Sequence, residues 1–309
     1  VPQQYRREVV TAALQAGKHV LSEKPIADSP QIADELIKLA EARGLTFGMV
    51  HNYVFLPEYR QIKALISGGT IGELRVLTMQ YLGVIDYPGA ADYKPDWRHT
   101  MAAGGGVLTD MIHAVYLAEW LFGVPAQQVV AFVDAPTYSQ GEPVVEDLAL
   151  LQIAFPKGYA TIHMGWGQGV GGVDVSGSEG HLRMRYEQYQ TSGFNQPAEL
   201  YSVRNWERSD HTLDNLPTHL ENIGRSFTQI WADFKEAVES KRPTIMPASA
   251  GARALELTLG AYLSGVTGQV VTLPLAKDHP VYQSGIHGIA EIAPWQSSRT
   301  KDAGLFGLR

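Results

Sequence analysis

The sequence contains no cysteine among its 309 residues. Disulfide bonds, thiolate metal sites and cysteine nucleophiles are therefore excluded. A basic excess is also lacking, because the net charge is −7. This balance argues against a nucleic-acid or an anionic-membrane partner, since both favour a basic protein face. No apolar run is long enough to span a bilayer and no secretory signal is visible, so we expect a cytoplasmic protein.

The composition that remains is that of a globular protein, with 45% hydrophobic and 18% charged residues. Its first part alternates between helix and strand patterns, and Ser29 followed by Pro30 is typical of a helix start. This alternation indicates βα units on a parallel sheet that has about two strands here. The predicted elements cover 4–16, 19–22, 30–44, 46–50 and 57–67.

From Glu73 onwards the pattern changes to consecutive strands separated by short turns. Such a succession predicts one large, mostly antiparallel sheet with helices on one face. Amphipathic helices are predicted over 227–240 and 248–265, while 188–220 is not assigned and the tail 273–309 has loop composition. The predicted strands cover 74–81, 128–133, 147–155, 158–166, 172–176 and 181–186.

One stretch carries a pattern for chemistry. Three glycines, Gly104 to Gly106, precede an apolar helical pattern that runs from Val107 to Gly123. Asp110 and His113 are three residues apart, so they share one face of this helix. A carboxylate beside an imidazole is a pairing that proton transfer requires. The alternative is structural, with Asp110 capping the first turn and His113 packed in the core.

Several motifs, taken in order, resemble those of the glucose–fructose oxidoreductase / inositol dehydrogenase family of NAD(P)-dependent sugar oxidoreductases. They include Gly17-Lys18-His19-Val20, Glu23-Lys24-Pro25, Asn52-Tyr53-Val54-Phe55-Leu56-Pro57, Trp97-Arg98 and the triple-glycine helix. The resemblance implies a fold of α/β plus α+β type: the C-terminal part of a Rossmann domain in 1–72, then a substrate-binding and oligomerisation domain in 73–309. The helices over 227–240 and 248–265 are candidates for packing back on the first domain.

The resemblance also implies roles for individual residues. Lys24 would lie near the nicotinamide and hold the substrate hydroxyl or its alkoxide, Asp110 would bind the substrate, and His113 would be the general acid/base. The residues implied to bind the cofactor, NAD or NADP, are Glu23, Lys24, Pro25, His51, Asn52, Trp97 and Arg98. Those implied to bind the carbohydrate are Lys24, Trp97, Asp110, His113 and Tyr116.

This sequence departs from the family pattern in three places. Only two residues separate Asp110 from His113 where the family has three, which makes His51 and Tyr116 alternative bases. Val54 stands where an arginine or lysine is frequent. The family's first βαβ unit with its Gly-x-Gly-x-x-Gly turn is missing, and the literal match over 167–172 is rejected because a strand pattern follows it. Either the sequence is a piece of a longer enzyme, or it is a relative without half of the cofactor site.

Other interpretations stay open. An NAD-assisted lyase or glycoside-cleaving enzyme of the same family would use the same residues, and a non-catalytic carbohydrate-binding or oligomer-forming protein would need no complete cofactor site. A metal site of Asp110, His113 and His51 is a minor alternative, and we expect no metal. The open face of the antiparallel sheet predicts a homodimer or a homotetramer.

Overall fold

The computed structural model describes most of the chain in a two-sheet arrangement. The described residues are 3–84, 106–134, 145–166, 169–186, 197–211 and 219–292. The helices are α1 Arg6–Gln15, α2 Pro30–Ala42, α3 Pro57–Ser67, α4 Val107–Asp110, α5 Ile112–Phe122, α6 His219–Ser240, α7 Ala248–Thr267, α8 Pro280–Ser284 and α9 Ile286–Ile292. The strands are β1 Val20–Ser22, β2 Phe47–Met49, β3 Leu74–Val84, β4 Gln128–Asp134, β5 Leu148–Phe155, β6 Gly158–Trp166, β7 Gly171–Gly177, β8 Gly180–Tyr186, β9 Pro197–Arg204, β10 Glu207–Asp210 and β11 Val271–Thr272.

The first sheet is a parallel pair formed by β1 and β2, with Val20 opposite Phe47. Helix α2 connects the two strands, and it begins as the sequence predicts. The Ser29 hydroxyl accepts a hydrogen bond from the Ile32 N–H, and Pro30 fills the first helical position. The prediction of βα units on a parallel sheet is therefore confirmed for these elements.

Nine strands of the described part of the chain form the second sheet, in the order β10-β9-β8-β7-β3-β6-β5-β4-β11. All of its neighbouring strands are antiparallel except β3 and β6 at its centre, which are parallel. Side chains alternate across it, since Leu77 and Met79 are buried whereas Val76 is 44% exposed. The predicted combination of a small parallel sheet and a large, mostly antiparallel sheet is thus confirmed.

Helices α5 and α7 cover one face of the large sheet. Phe122 of α5 stacks on Phe155 of β5 with ring centroids 3.9 Å apart. The Ser264 hydroxyl of α7 accepts a hydrogen bond from the Ala131 N–H of β4. Helix α7 also reaches the parallel pair, because the backbone of Gly251 lies against the Met49 side chain of β2. The helix therefore spans both sheets and fixes their relative position.

Three sequence predictions need correction. The helix predicted from Val107 is interrupted at Met111, where the Ala114 N–H bonds the Met111 carbonyl in a tighter turn. The unassigned segment contains β9, β10 and the first residues of α6. The tail contains α8 and α9, and the start of α8 had a recognisable signal: Pro280 follows His279, whose Nδ1 accepts the Val281 N–H.

No helix in the described residues is long and apolar enough to cross a membrane.

Candidate active site

The centre of the candidate site is a contact between the loop after β1 and the one-turn helix α4. Lys24 follows the carboxyl end of β1, and Asp110 is the last residue of α4. The Lys24 ammonium donates a hydrogen bond to the Asp110 carbonyl at 2.6 Å and lies 3.4 Å from its Oδ1. The two side chains are 19% and 23% exposed, so the pair is partly shielded from water while still open to a ligand. The structure thus brings together two of the three predicted catalytic residues.

The third predicted residue, His113, has a different partner from the expected one. Its Nδ1 lies 2.6 Å from the hydroxyl of Tyr116, one helical turn further along α5. The Tyr116 hydroxyl also accepts a hydrogen bond from the Tyr53 N–H at 3.1 Å. The structure therefore shows the imidazole bonded through Nδ1 to Tyr116, where the sequence predicts a pairing with the Asp110 carboxylate, and the break at Met111 lies between Asp110 and His113.

These hydrogen bonds assign the tautomer of His113. The buried Tyr116 hydroxyl needs an acceptor for its proton, and of its two partners only Nδ1 can accept, because the other is the Tyr53 N–H. The neutral ring then carries its own proton on Nε2. Among the residues that the structure describes, Nε2 has no hydrogen-bond partner, and the ring is half-buried. Burial, followed by the charge of Lys24, lowers the pKa of His113 well below its usual range. The site therefore offers a neutral imidazole with Nε2–H free to donate.

His51 lies directly after β2 and is 1% exposed. Its ring stacks on Tyr116 with centroids 3.9 Å apart and planes 7° from parallel. Neither ring nitrogen has a hydrogen-bond partner in the described residues. Burial, then the charges of Lys24 and Arg253, lower the pKa of His51 to about 3. His51 is therefore a second neutral imidazole beside the same lysine.

Tyr53 is a site residue that sequence reasoning missed. Its ring stacks on His113 with centroids 4.2 Å apart, and it also packs near Tyr59 at 6.1 Å. Burial raises the pKa of its phenol, and the nearby carboxylates of Asp110 and Glu58 raise it further. The position of Tyr53 directly after the buried His51-Asn52 pair was the available signal, but a tyrosine in an apolar run is equally typical of a core.

Behind Tyr53 lies a buried cluster of phenols around one carboxyl group. The Tyr59 hydroxyl bonds those of Tyr81 and Tyr186, and Tyr186 donates to Glu58 Oε1 at 3.4 Å. Burial raises the pKa of Glu58 to about 7. Residues from α3, β3 and β8 thus join in one polar wall next to the candidate site.

Of the remaining predicted residues, three are described by the structure and two are not. Glu23 is exposed, and Pro25 is buried with its carbonyl accepting a hydrogen bond from Arg6, so these residues frame Lys24. Asn52 is 6% exposed in a 3₁₀ turn over Asn52–Phe55. The predicted site residues Trp97 and Arg98 lie outside the described residues.

The structure does not support one expectation and one minor alternative. Tyr116 is 1% exposed and its hydroxyl is engaged by His113 and Tyr53, so it positions the histidine instead of reaching a substrate. His51, Asp110 and His113 do not form a metal site, because no group of three potential ligands comes together within the described ranges.

The described residues of the site have the chemistry to hold the nicotinamide end of a dinucleotide. In open parallel α/β sheets, ligands bind outside the carboxyl ends of the strands. Lys24 follows that end of β1 and His51 follows that end of β2, where its buried ring nitrogens lack partners. An ammonium, a neutral imidazole and the Asn52 amide suit the amide and ribose hydroxyls of a nicotinamide nucleotide. The described residues contain no glycine-rich turn from a strand into a helix for the pyrophosphate.

Comparison with known proteins decides the family. Residues 63–273 match the C-terminal α/β domain of an oxidoreductase family, and residues 1–51 match its NAD-binding Rossmann fold. The chain belongs to the glucose–fructose oxidoreductase / inositol dehydrogenase family. The resemblance seen in the motifs is thereby confirmed, and the family is one of NAD-binding oxidoreductases.

Individual relatives are sugar dehydrogenases and reductases by name. A D-xylose dehydrogenase of Paenarthrobacter nicotinovorans is 31% identical over 120 residues, which are 38% of this chain and 31% of that protein. A dTDP-3,4-didehydro-2,6-dideoxy-α-D-glucose 3-reductase of Actinomadura kijaniata is 30% identical over 71% of this chain and 62% of that protein. The chain thus spans less than two thirds of either relative.

Solved structures show the same fold. An oxidoreductase domain protein from Kribbella flavida has a TM-score of 0.76 at 21% identity, over 89% of this chain and 79% of that one. A levoglucosan dehydrogenase in complex with NADH has a TM-score of 0.74 at 20% identity, with the same coverage of both chains. At these identities the likeness establishes the arrangement of the two sheets and nothing more.

The first prediction concerns the tautomer of His113. Replacing Tyr116 with phenylalanine removes the hydroxyl that donates to Nδ1, so we expect the ring to populate both tautomers and the free energy of unfolding to fall by about 1–3 kcal/mol. Histidine ¹⁵N NMR and urea unfolding measure the two effects. Tyr159→Phe, at a side chain that is 67% exposed, is the matched control. Unchanged ¹⁵N shifts of His113 in Tyr116→Phe would contradict the assignment.

The second prediction concerns acid stability. The pKa of His51 is about 3 in the fold against 6.5 for the free side chain, so the unfolded chain takes up the proton first as the pH falls. The free energy of unfolding therefore falls as the pH decreases from 6.5 to about 3, by up to about 1.4 kcal/mol per pH unit from this residue. His51→Phe keeps a ring against Tyr116 and removes the titration.

Urea unfolding at about pH 7.5 and about pH 5 tests this expectation. The variant should gain stability relative to the wild type at the lower pH. His181→Phe, at an exposed histidine of β8, is the control. An equal stability difference between His51→Phe and the wild type at both pH values would show that His51 is not held neutral.

Proposed function

We propose that this protein is a sugar oxidoreductase that transfers a hydride between NAD(P) and a hydroxyl or keto carbon of a sugar, a cyclitol or a sugar derivative. The observation that carries the proposal is the meeting of the Lys24 ammonium with Asp110 beside the neutral imidazole of His113, at the carboxyl end of β1. Its family supports the cofactor, and the names of its relatives, which act on xylose, deoxy-sugar nucleotides and 1,5-anhydro-D-fructose, support the substrate class.

The residues act on the oxygen of the reacting carbon. Lys24 Nζ and His113 Nε2 both present N–H groups, so they stabilise the negative charge that develops on a carbonyl oxygen during reduction. The bound nicotinamide supplies or accepts the hydride. Because a neutral imidazole is a weak acid, we assign orientation of the oxygen to His113 and proton transfer to Lys24 Nζ. In the reduction the ammonium gives a proton to the oxygen, and in the oxidation the neutral amine takes the hydroxyl proton. The Asp110 carboxylate is placed to accept a hydrogen bond from a neighbouring sugar hydroxyl.

This assignment changes one expectation from the sequence. His113 was expected to be the general acid/base, whereas its Nδ1 is occupied by Tyr116 and its pKa is lowered by burial. A ring held neutral in one tautomer is suited to donate a hydrogen bond through Nε2 and poorly suited to store a proton. Lys24 remains the cation next to the reacting oxygen.

The outer face of the large sheet supports self-association. It carries exposed apolar side chains on four neighbouring strands, and an apolar patch of this kind favours contact with another protein surface. These residues are Val76, Phe132, Leu148 and Tyr159. A homodimer or homotetramer through this face, like the cytoplasmic location, stays a prediction.

Turnover with a panel of sugars tests the proposed function. The panel contains xylose, levoglucosan, 1,5-anhydro-D-fructose and inositols, each with both nicotinamide cofactors in the matching oxidation state, and NAD(P)H absorbance is followed. For an accepted substrate we expect Lys24→Met to lower kcat/KM by about 10²–10⁴-fold, because the charge next to the oxygen is lost.

Lys18→Met, at an exposed lysine of the same segment, is the control and should leave kcat/KM unchanged. Equal rates for Lys24→Met and the wild type would refute the role of Lys24. Cleavage of a substrate without net change in the cofactor would favour the lyase alternative. Sugar binding that Lys24→Met does not affect, without any turnover, would favour a carbohydrate-binding protein.

A further inference from the structure

A buried carboxyl group lies at the start of α4, at the opposite end of this helix from Asp110. Glu146 precedes β5 and is 1% exposed. Its carboxyl oxygens accept hydrogen bonds from the Gly106 N–H at 3.0 and 3.1 Å and from the Leu108 N–H at 2.8 Å. Its main-chain carbonyl accepts the Val107 N–H at 3.0 Å. One residue therefore binds three consecutive N–H groups at the start of α4.

The contact is tight enough to explain the last of the three glycines. A Cβ on Gly106 would lie 2.1 Å from the Glu146 carbonyl oxygen and 2.9 Å from Oε2. Glycine is thus required at this position by the chain's own backbone. The group that approaches Gly106 is therefore Glu146.

Helix α4 depends on this cap because it is a single turn. Isolated short helices are unstable in water, so such a turn takes its position from its anchors. Gly106, whose N–H binds Glu146, accepts a hydrogen bond from the Asp110 N–H through its carbonyl at 2.9 Å. Asp110 in turn holds the Lys24 ammonium. Glu146 is therefore one helical turn away from the centre of the candidate site.

We propose that Glu146 is a positioning residue of the candidate active site, which places Asp110 against Lys24 by holding the amino end of α4. Its partners all donate: the two amides and the Tyr262 hydroxyl, which lies 2.6 Å from Oε1 and also bonds Thr109. Partners that only donate suit the ionised carboxylate, which can only accept, whereas protonation places a further donor among these N–H and O–H groups. The hydrogen bonds between Glu146 and the start of α4 are therefore strongest when Glu146 is ionised.

The charge state of Glu146 changes within the neutral range. Burial raises the pKa of its carboxyl to about 7, against the lowering effect of the hydrogen bonds from Tyr262 and the amides. Tyr262 of α7 is the titratable group in contact with this carboxyl within the described residues, and burial raises its pKa well above the usual value. The hold on Asp110 should consequently strengthen as the pH rises through 7.

The test measures how strongly the contact with Asp110 protects the Lys24 amine from acetylation. The wild type and Glu146→Gln are labelled briefly with acetic anhydride between about pH 6 and about pH 8.5, and mass spectrometry compares acetylation of Lys24 with that of exposed Lys18 in the same molecule. In the wild type the ratio should fall severalfold as the pH passes through 7. In Glu146→Gln it should stay high and show no step.

Glu207→Gln, at an exposed glutamate of β10, should behave as the wild type. Tyr262→Phe removes one hydrogen-bond donor to Glu146, so the step should move to higher pH. This variant also tests the proposal if Glu146→Gln does not fold. A step that is the same in the wild type and Glu146→Gln, or one that does not move in Tyr262→Phe, overturns the proposal. The inference rests on the proposed function only in treating α4 as part of the site, and labelling needs no turnover, so the two can fail separately.

Discussion

The hydrogen bond between the Lys24 ammonium and the Asp110 carbonyl joins the two halves of this protein at the place where chemistry is expected. It connects a loop of the parallel pair to a one-turn helix above the large sheet. Because the ammonium is partly buried, its charge acts through a medium of lower polarity than water, and its neighbours respond to it. The pKa values of the two neighbouring histidines follow from burial first and from this charge second.

Beside Lys24 the fold keeps two imidazole rings neutral. Burial together with the lysine charge lowers the pKa of both His51 and His113. On the other side, burial raises the pKa of Glu58 and Glu146 to about 7. A site in which a lysine ammonium lies beside neutral imidazoles and phenols is suited to stabilise an alkoxide, since these described groups are held in place before the substrate arrives.

The sequence predicts those parts of the fold that depend on local signals. Ser29 and Pro30 start a helix through their own backbone chemistry, and the alternation along β3 shows which side chains enter the core. The interruption at Met111 could not be predicted, because a tight turn within an apolar run leaves the helical spacing almost unchanged. Glu146 and Tyr262 could not be found either, since they meet α4 from distant parts of the chain. Lys24 came from the family resemblance, Asp110 came from the pattern after the three glycines, and their contact came from the structure.

The most direct test of this account is a fluorescence titration of the protein, its intact mass measured first, with NADH and NADPH. The account predicts saturable binding of at least one of them in the micromolar range, and weaker binding in Lys24→Met than in Lys18→Met, because the nicotinamide end of the cofactor is placed next to Lys24. Absence of saturable binding of either nucleotide, or binding that Lys24→Met leaves unchanged, would contradict it.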